Sequence, residues 1–197
     1  MLMLSRLAVM ALLLLPLLVG ASSIRQMDMD EIASRAELVF EGRVIARRVV
    51  HVPNSRTLRT EVTFEVDEVI KGNLDSDRVT LSFLGGVADG VALRVSDLHI
   101  PELGEQGIYF VESLSRPLVN PLVGWHQGHY LVDREQGTSR SMVRTLDGKP
   151  VFGLEPAGAQ GISRGGGAAG VEVRPRKPLE MPMTPDDFKA RIRGMLQ

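Results

Sequence analysis

The fold is decided by residues 59–86, which read RTEVTFEVDEVIKGNLDSDRVTLSFLGG. Apolar residues alternate with polar ones in both halves of this stretch, and a period of two is typical of a strand with one buried face. The apolar positions are Val62, Phe64 and Val66 in the first half and Val79, Leu81 and Phe83 in the second. A Lys-Gly-Asn sequence at 71–73 forms the break between them. The stretch therefore predicts two antiparallel strands joined by a long polar turn.

Short stretches of similar alternation lie on both sides of this hairpin. They are Leu38–Val50, Val91–Val95, Ile108–Glu112 and His129–Asp133, followed by a small hairpin of Met142–Arg144 and Val151–Phe152 around Asp147-Gly148. Gly42 lies in the middle of the first strand, where a missing side chain permits a bulge or sharp bend. About six or seven short strands at close spacing predict an all-β fold, either a small antiparallel barrel or a sandwich.

Two helices and a linker complete the predicted organisation. The first helix begins at Asp28, with Glu31 placed as in a capping box. The second begins at Thr184 and has an apolar stripe consisting of Phe188, Ile192, Met195 and Leu196. Residues 153–182 are rich in Gly, Pro and Ala and predict a flexible linker. We therefore expect a β-barrel domain over residues 28–152, the linker over 153–182 and an amphipathic helix over 184–196.

The beginning of the chain predicts export. Residues 1–21 contain one early charge, Arg6, then an apolar run from Leu7 to Val19 and a small residue at Ala21, as a secretory signal peptide does. The run is shorter than the roughly 20 apolar residues that span a bilayer. A signal peptide is therefore favoured over a membrane anchor, and we expect the mature protein in the periplasm or outside the cell.

The composition excludes several classes of protein. The chain has no cysteine, so it can hold neither a disulfide nor the lipid of a lipoprotein. Its formal net charge is −1 with both signs interspersed, which gives no basic surface for nucleic acid. Partners among nucleic acids are therefore not expected.

The chain resembles a group of uncharacterised exported bacterial proteins. The shared pattern has a Gly in the first strand, a Lys-Gly turn, a Gly-Gly turn, a Gly-Glu loop before an aromatic strand and a Gln-Gly pair. The matching positions are Ala36, Val39, Gly42, Val44, Thr60, Phe64, Val66, Lys71, Gly72, Gly85, Gly86, Val95, Ser96, Gly104, Glu105, Tyr109, Phe110, Gln127 and Gly128. This layout is similar to the netrin-like variety of the OB barrel, the fold of tissue inhibitors of metalloproteases.

The resemblance implies binding rather than catalysis. Proteins of this kind occur beside secreted matrixin-like metalloproteases, which implies an interaction with another exported protein such as a protease. The inhibitors reach the protease zinc through an N-terminal cysteine, and this chain has no cysteine. The resemblance therefore does not imply that mechanism.

Two short motifs match catalytic or cofactor signatures but lack the structural context that these need. GISRG, at Gly161–Gly165, has the spacing of a serine-hydrolase elbow, yet it falls in the predicted linker rather than on a strand-to-helix turn. GGGAAG, at Gly165–Gly170, spells a dinucleotide fingerprint without a preceding strand or a following helix. The sequence therefore predicts no catalytic residue and no cofactor.

His126 and His129 are spaced H-x-x-H, and imidazole is the commonest metal ligand. No third ligand follows at motif spacing, and neither residue lies on a predicted helix. We interpret them as two solvated histidines at a strand start, with no metal. Asp28, Asp30 and Glu31 are likewise interpreted as helix-cap residues rather than calcium ligands.

The predicted partner site is the loop from Pro117 to Trp125, PLVNPLVGW. Its two prolines disfavour strand pairing, and exposed apolar clusters usually mark interaction surfaces. The cluster comprises Leu118, Val119, Leu122, Val123 and Trp125. The alternative is that Val123 and Trp125 close the end of the barrel.

The sequence as a whole predicts an exported, non-enzymatic binding or interaction module with no membrane span after signal cleavage. Two other classes stay open. One is a hydrolase whose site is assembled from loops, and the other is a structural component of the cell envelope.

Overall fold

The computed structural model describes residues 25–134, 138–155, 166–174 and 180–197. The predicted signal peptide, residues 1–21, lies outside these ranges, and so does Ser163 of the GISRG motif. The chain is mainly β, with 45% strand and 14% helix, which confirms the predicted class. No helix in the described ranges is long and apolar enough to cross a membrane.

The described residues form two α-helices and ten strands. In chain order these are α1 (Met29–Arg35), β1 (Leu38–His51), β2 (Leu58–Lys71), β3 (Arg78–Leu84), β4 (Gly86–Ala88), β5 (Val91–Leu93), β6 (Gln106–Val111), β7 (His129–Arg134), β8 (Ser141–Thr145), β9 (Val151–Leu154), β10 (Val171–Val173) and α2 (Pro185–Met195). A short 3₁₀ turn, Trp125–Gly128, leads directly into β7. Six strands form one antiparallel sheet in the order β3-β2-β1-β6-β7-β8, while β4 pairs with β5 and β9 with β10.

The large sheet is open within the part of the chain that the structure describes. Its outer strands, β3 and β8, do not pair with each other, and no closed barrel is found. The loop before β7 spans from β3 to β6, because Val119 O accepts from Leu84 N–H at 2.9 Å and Val123 N–H donates to Phe110 O at 2.8 Å. An open sheet with a bridging loop thus takes the place of the predicted barrel.

The hairpin predicted for residues 59–86 is confirmed. Strands β2 and β3 pair antiparallel, from Arg59 opposite Leu84 to Glu65 opposite Arg78. Phe64 is fully buried at 0% exposure, because alternate residues of a strand point to the same face. The apolar face predicted from the alternation is therefore the buried face.

Strand β1 has an irregular register at Gly42, as expected. Its pairing with β2 shifts between Glu41 and Gly42. A Cβ at Gly42 would lie 2.5 Å from the carbonyl oxygen of Glu65 on β2. Gly42 therefore permits a close approach of the two backbones that a side chain would prevent.

The large sheet separates two hydrophobic clusters. The aromatic core comprises Leu38, Phe40, Val44, Val62, Phe64, Val79, Leu81, Phe83, Tyr109, Val111 and Leu122. The helix-side core comprises Met27, Met29, Ile32, Ala33, Ala36, Val39, Ile70, Ile108, Phe110, Val123, Tyr130, Val143, Val151, Leu154, Ala168, Phe188 and Ile192. Successive residues of β6 alternate between the two cores, since successive side chains of a strand point to opposite faces.

Both helix starts were predicted correctly. The Asp28 carboxylate accepts a hydrogen bond from Glu31 N–H at 2.7 Å, so Asp28 is a helix cap as interpreted. Thr184 Oγ1 accepts from Asp187 N–H at 3.1 Å at the start of α2. The apolar stripe of α2 packs into the helix-side core through Phe188 and other residues, which fastens the C-terminal helix to the sheet.

The structure differs from the flexible linker expected over residues 153–182. Residues 156–165 and 175–179 lie outside the described ranges. Between them, Val171–Val173 forms β10 on β9, and Ala168 is 1% exposed in the helix-side core. Residues 166–174 are therefore packed against the rest of the domain.

Small residues explain why that segment was expected to be flexible and is nevertheless packed. Ala169 donates to Met27 O at 2.8 Å and accepts from Met29 N–H at 3.1 Å. Gly170 has φ +83°, and a Cβ there would lie 2.6 Å from Glu155 O. The small residues that suggested a flexible linker therefore allow the backbone of this segment to pack closely against its neighbours.

One predicted strand and one predicted hairpin differ in detail from the structure. The predicted strand Val91–Val95 ends at Leu93 and pairs only with β4. The turn of the predicted hairpin of Met142–Arg144 with Val151–Phe152 is present, since Arg144 forms an antiparallel bridge with Pro150. Beyond that bridge, β8 joins the large sheet and β9 pairs with β10. Strands were therefore predicted in both places, but their pairing in the structure extends to other strands.

Candidate functional site

Three titratable side chains converge beside the aromatic core. His99 Nε2 lies 3.0 Å from Glu105 Oε2, and His129 Nε2 lies 3.0 Å from Glu105 Oε1. One potential ligand atom from each residue lies within 4.8 Å of those of the other two. The Glu105 carboxylate therefore bridges two imidazole rings.

Each residue of this cluster comes from a different part of the chain. His129 is the first residue of β7 and lies opposite Tyr109 of β6. Glu105 directly precedes β6, in a turn closed by a 3.0 Å hydrogen bond from its N–H to Glu102 O. His99 lies in the segment between β5 and β6. The pairing of β6 with β7 therefore brings Glu105 and His129 together, and the preceding segment adds His99.

Tyr109 connects the cluster to the aromatic core. Its ring centroid lies 4.7 Å from that of His129, and its hydroxyl donates to Glu105 Oε1 at 3.4 Å. The Tyr109 ring also contacts Phe40 and Phe64, with centroids 5.2 and 4.6 Å away. The inner side of the cluster is therefore apolar and closed by aromatic rings.

Burial and charge act in opposite directions in the cluster. His129 is 0% exposed, while the side chains of Glu105 and His99 are 13% and 38% exposed. Burial raises the pKa of Glu105, but the neighbouring imidazoles of His129 and His99 outweigh it and lower the pKa to about 2. Burial lowers the pKa of His129 against the opposing effect of Glu105. At neutral pH Glu105 is therefore a carboxylate, and His129 is a neutral imidazole with a lone pair.

The fully buried His129 lacks a hydrogen-bond partner at both ring nitrogens among the described residues. Glu105 Oε1 lies 3.0 Å from Nε2, but the pair does not have the geometry of a hydrogen bond. Buried polar groups are hydrogen-bonded in the large majority of cases. The orientation of this ring therefore requires a further explanation.

The interpretation of His126 and His129 as two solvated histidines is wrong for His129. Its side chain is buried because His129 lies opposite Tyr109 in the pairing of β6 with β7 and packs against the Tyr109 ring. His126 is half-buried in the 3₁₀ turn, and burial lowers its pKa. The H-x-x-H spacing does not bring the two rings into one cluster. The residues that do meet His129, His99 and Glu105, were missed because they lie far from it in sequence.

The predicted partner loop, Pro117–Trp125, is divided between anchored and exposed residues. Leu122 is 1% exposed in the aromatic core, and Val123 is 0% exposed in the helix-side core. Val119 is 40% exposed, and Leu118 and Trp125 are half-buried. The expected exposed cluster of five apolar residues is therefore reduced to three.

The expectation that prolines keep this loop from pairing does not hold. Glu112 N–H donates to Pro121 O at 2.7 Å, and Val111 forms an antiparallel bridge with Leu122. Proline lacks an N–H but keeps its carbonyl acceptor. The loop therefore pairs with the C-terminal end of β6 through hydrogen bonds that proline can make.

Comparison with protein-family models, characterised proteins and solved structures finds no match for this chain. The resemblance to exported netrin-like proteins therefore stays a prediction. Function has to be argued from the chemistry and geometry of the sites themselves.

Proposed function

We propose that this chain is an exported, non-enzymatic binding module whose partner is another exported protein, such as a protease. The proposed binding surface is the loop Pro117–Trp125, through Leu118, Val119 and Trp125. The proposal includes an OB-like, netrin-like fold for the sheet. It also includes export to the periplasm or the cell exterior, which rests on the apolar leader at residues 1–21.

The observation that carries the proposal is the backbone of Trp125. Its φ is 60°, and the φ of the preceding Gly124 is 58°. A bulky L-residue in this left-handed region is an outlier, and such strain costs on the order of 1 to 3 kcal/mol and concentrates at binding and catalytic sites. The strained residue is also the only Trp in the chain, and Trp is enriched among the residues that dominate binding energy.

The loop is fastened on both sides of its exposed residues. Arg59 of β2 donates to Leu118 O, and Val119 O accepts from the end of β3. Leu122 and Val123 are then buried in the two cores. A surface that is ordered before association loses less conformational entropy when a partner binds, so this anchoring favours a binding role.

Site-specific crosslinking in the native envelope tests the proposal. A photo-crosslinking amino acid is placed at Val119, which is 40% exposed, and at Val87 of β4, which is 61% exposed, as the control. We expect position 119 to capture one defined exported protein that position 87 does not capture. Identical adducts from both positions would contradict the loop as the binding surface.

The Trp125→Ala substitution separates binding by the loop from mere closure of the sheet. If the loop binds, this change abolishes capture through position 119 and leaves the melting temperature nearly unchanged. If Trp125 only closes the fold, the melting temperature falls markedly. A destabilised variant that still captured the same partner would rule out Trp125 as a binding residue.

A hydrolase is the second candidate, and the cluster around Glu105 is the observation that favours it. Converging carboxylate and imidazole groups are what general acid–base catalysis uses. A groove of about 570 Å³, lined in part by Glu105, Arg43 and Ser141, opens next to the carboxylate.

Two features make the hydrolase the weaker candidate. His129 is fully buried, and a Glu105 pKa of about 2 makes this carboxylate a weak general base at neutral pH. Assays of the purified protein on peptide and ester substrates decide between the candidates. Hydrolysis that disappears in Glu105→Gln would favour the enzyme.

A further inference from the structure

The cluster of His99, Glu105 and His129 is separate from the proposed binding loop and has no role in it. We propose that these three side chains bind one transition-metal ion of the Zn²⁺ class, with water in the fourth coordination position. The site differs from the H-x-x-H pair considered in the sequence, since His126 takes no part in it.

The chemistry of the donors selects the class of metal. Two imidazoles and one carboxylate suit Zn²⁺ and its neighbours Co²⁺, Ni²⁺ and Cu²⁺. Ca²⁺ and Mg²⁺ prefer sites made of oxygen ligands alone, and two of these three donors are nitrogen. Three protein ligands with one open position are a common zinc arrangement.

The spacing of the donor atoms is close to that of a tetrahedral site. Bonds of about 2.0 to 2.2 Å at tetrahedral angles place neighbouring ligand atoms about 3.3 Å apart. Both histidine Nε2 atoms lie 3.0 Å from an oxygen of Glu105, and all three potential ligand atoms lie within 4.8 Å of one another. His99 lies outside the strands and is more exposed than Glu105 and His129, so its side chain has the most room to adjust around an ion.

The unpaired state of His129 is the second observation that points to an ion. No described residue forms a hydrogen bond with either nitrogen of its buried ring. Oε1 of Glu105 lies 3.0 Å from Nε2 without the geometry of a hydrogen bond, as expected where both atoms are ligands of one ion. A cation at that position would satisfy both the imidazole lone pair and the carboxylate.

Supporting contacts hold the carboxylate in place. Glu105 Oε1 accepts from the Tyr109 hydroxyl at 3.4 Å, and Oε2 accepts from Glu102 N–H at 3.4 Å. Ligating carboxylates are commonly oriented by such outer contacts. The partly exposed His99 side chain lies on the solvent side of the cluster and gives an ion its entry path.

Titration of the metal-free full chain, purified without a histidine tag, tests this proposal. Calorimetry with Zn²⁺ alone is expected to show one ion per chain, together with a rise in melting temperature from ligand linkage. Titration with Co²⁺ is expected to give the strong visible absorption of a tetrahedral site. His99→Gln, Glu105→Gln and His129→Gln should each weaken binding at least tenfold, since even outer-shell partners contribute roughly 10- to 100-fold.

His126→Gln is the matched control, because it removes a half-buried histidine three positions from His129 that is outside the cluster. We expect this variant to bind Zn²⁺ as the wild type does. Circular dichroism checks that each variant folds, and if the buried His129→Gln does not, the partly exposed His99→Gln decides. No stoichiometric binding by the wild type, or unchanged binding by folded His99→Gln, would overturn the proposed site.

Discussion

The two hydrophobic cores on either side of the large sheet are stabilised by different means. In the aromatic core the rings of Phe40, Phe64 and Tyr109 contact one another, with centroids 4.6 to 5.4 Å apart. They belong to β1, β2 and β6, and β1 is hydrogen-bonded to both of the other strands. The three rings at the centre of the aromatic core are therefore held together by the sheet itself.

The helix-side core depends on the C-terminal part of the chain. Phe188 of α2 contacts Tyr130, with ring centroids 4.9 Å apart. Lys189 Nζ lies 2.6 Å from a carboxylate oxygen of Glu41 and 2.7 Å from one of Glu68. These glutamates face each other on β1 and β2. The comparison indicates that detaching α2 should weaken one core and leave the other in place.

The largest effect is expected in the aromatic core. Phe64→Ala removes a ring that is 0% exposed, and the free energy of unfolding should fall by about 3 to 5 kcal/mol from lost transfer energy and the resulting cavity. Val69→Ala, on the same strand at 37% exposure, is the control and should cost less than about 0.5 kcal/mol. Denaturant titration measures both. A loss below about 1 kcal/mol for Phe64→Ala would show that the sheet does not depend on this core.

A smaller effect is expected at the ion pairs of α2. Lys189→Ala removes a cation that is only 5% exposed and leaves Glu41, whose side chain is 12% exposed, without its counter-charge. We expect a loss of about 2 kcal/mol, since a fully buried pair would cost more. Lys149→Ala, which breaks a pair with Asp147 at a side chain 47% exposed, should cost less than about 0.5 kcal/mol.

Hydrogen exchange on Lys189→Ala tests whether the two cores are separable. Amides of α2 should lose protection, while amides of β2 in the hairpin with β3 should keep theirs, because partial openings release contiguous units. Equal loss of protection in α2 and β2 would show that both cores form one cooperative unit.

Local patterns accounted for the strands of the large sheet and both helix starts. The alternation around Phe64 and the capping residue Asp28 act over a few neighbouring residues, so one sequence is enough to recognise them. The partners of short segments could not be predicted in this way. Val171–Val173 is three residues long, and glycines on its N-terminal side gave a linker signal that outweighed it.

The candidate site was less accessible to sequence reasoning than the fold. His129 was considered, but with His126 as its neighbour, whereas its contacts with Glu105 and His99 depend on the pairing of β6 with β7.

The sequence of the partner loop did contain one indication of its burial. Leu122 and Val123 are adjacent apolar residues, and adjacent residues of an extended chain point to opposite faces. That pattern fits their burial in the two different cores better than joint exposure.

The smallest expected effect concerns the charge of Glu68. Hydrogen bonds from Lys189 and Arg193 lower its pKa below the ordinary value of 4.5. The unfolded chain therefore takes up a proton at this position at higher pH than the folded protein does. The resulting stabilisation is present above pH 4.5 and is lost as the pH falls through the folded-state pKa.

The Glu68 side chain is 40% exposed, so solvent screening should keep this contribution below about 1 kcal/mol. We expect the difference in unfolding free energy between wild type and Glu68→Gln to shrink as the pH is lowered from about 6 to about 3.5. The same comparison in a Lys189→Ala background should show a weaker pH dependence, because Glu68 then keeps only the hydrogen bond from Arg193. If the difference in unfolding free energy between wild type and Glu68→Gln stayed constant over this pH range in both backgrounds, charge would not contribute to the attachment of α2 to the sheet. Apolar contacts alone would then hold α2 on the helix-side core.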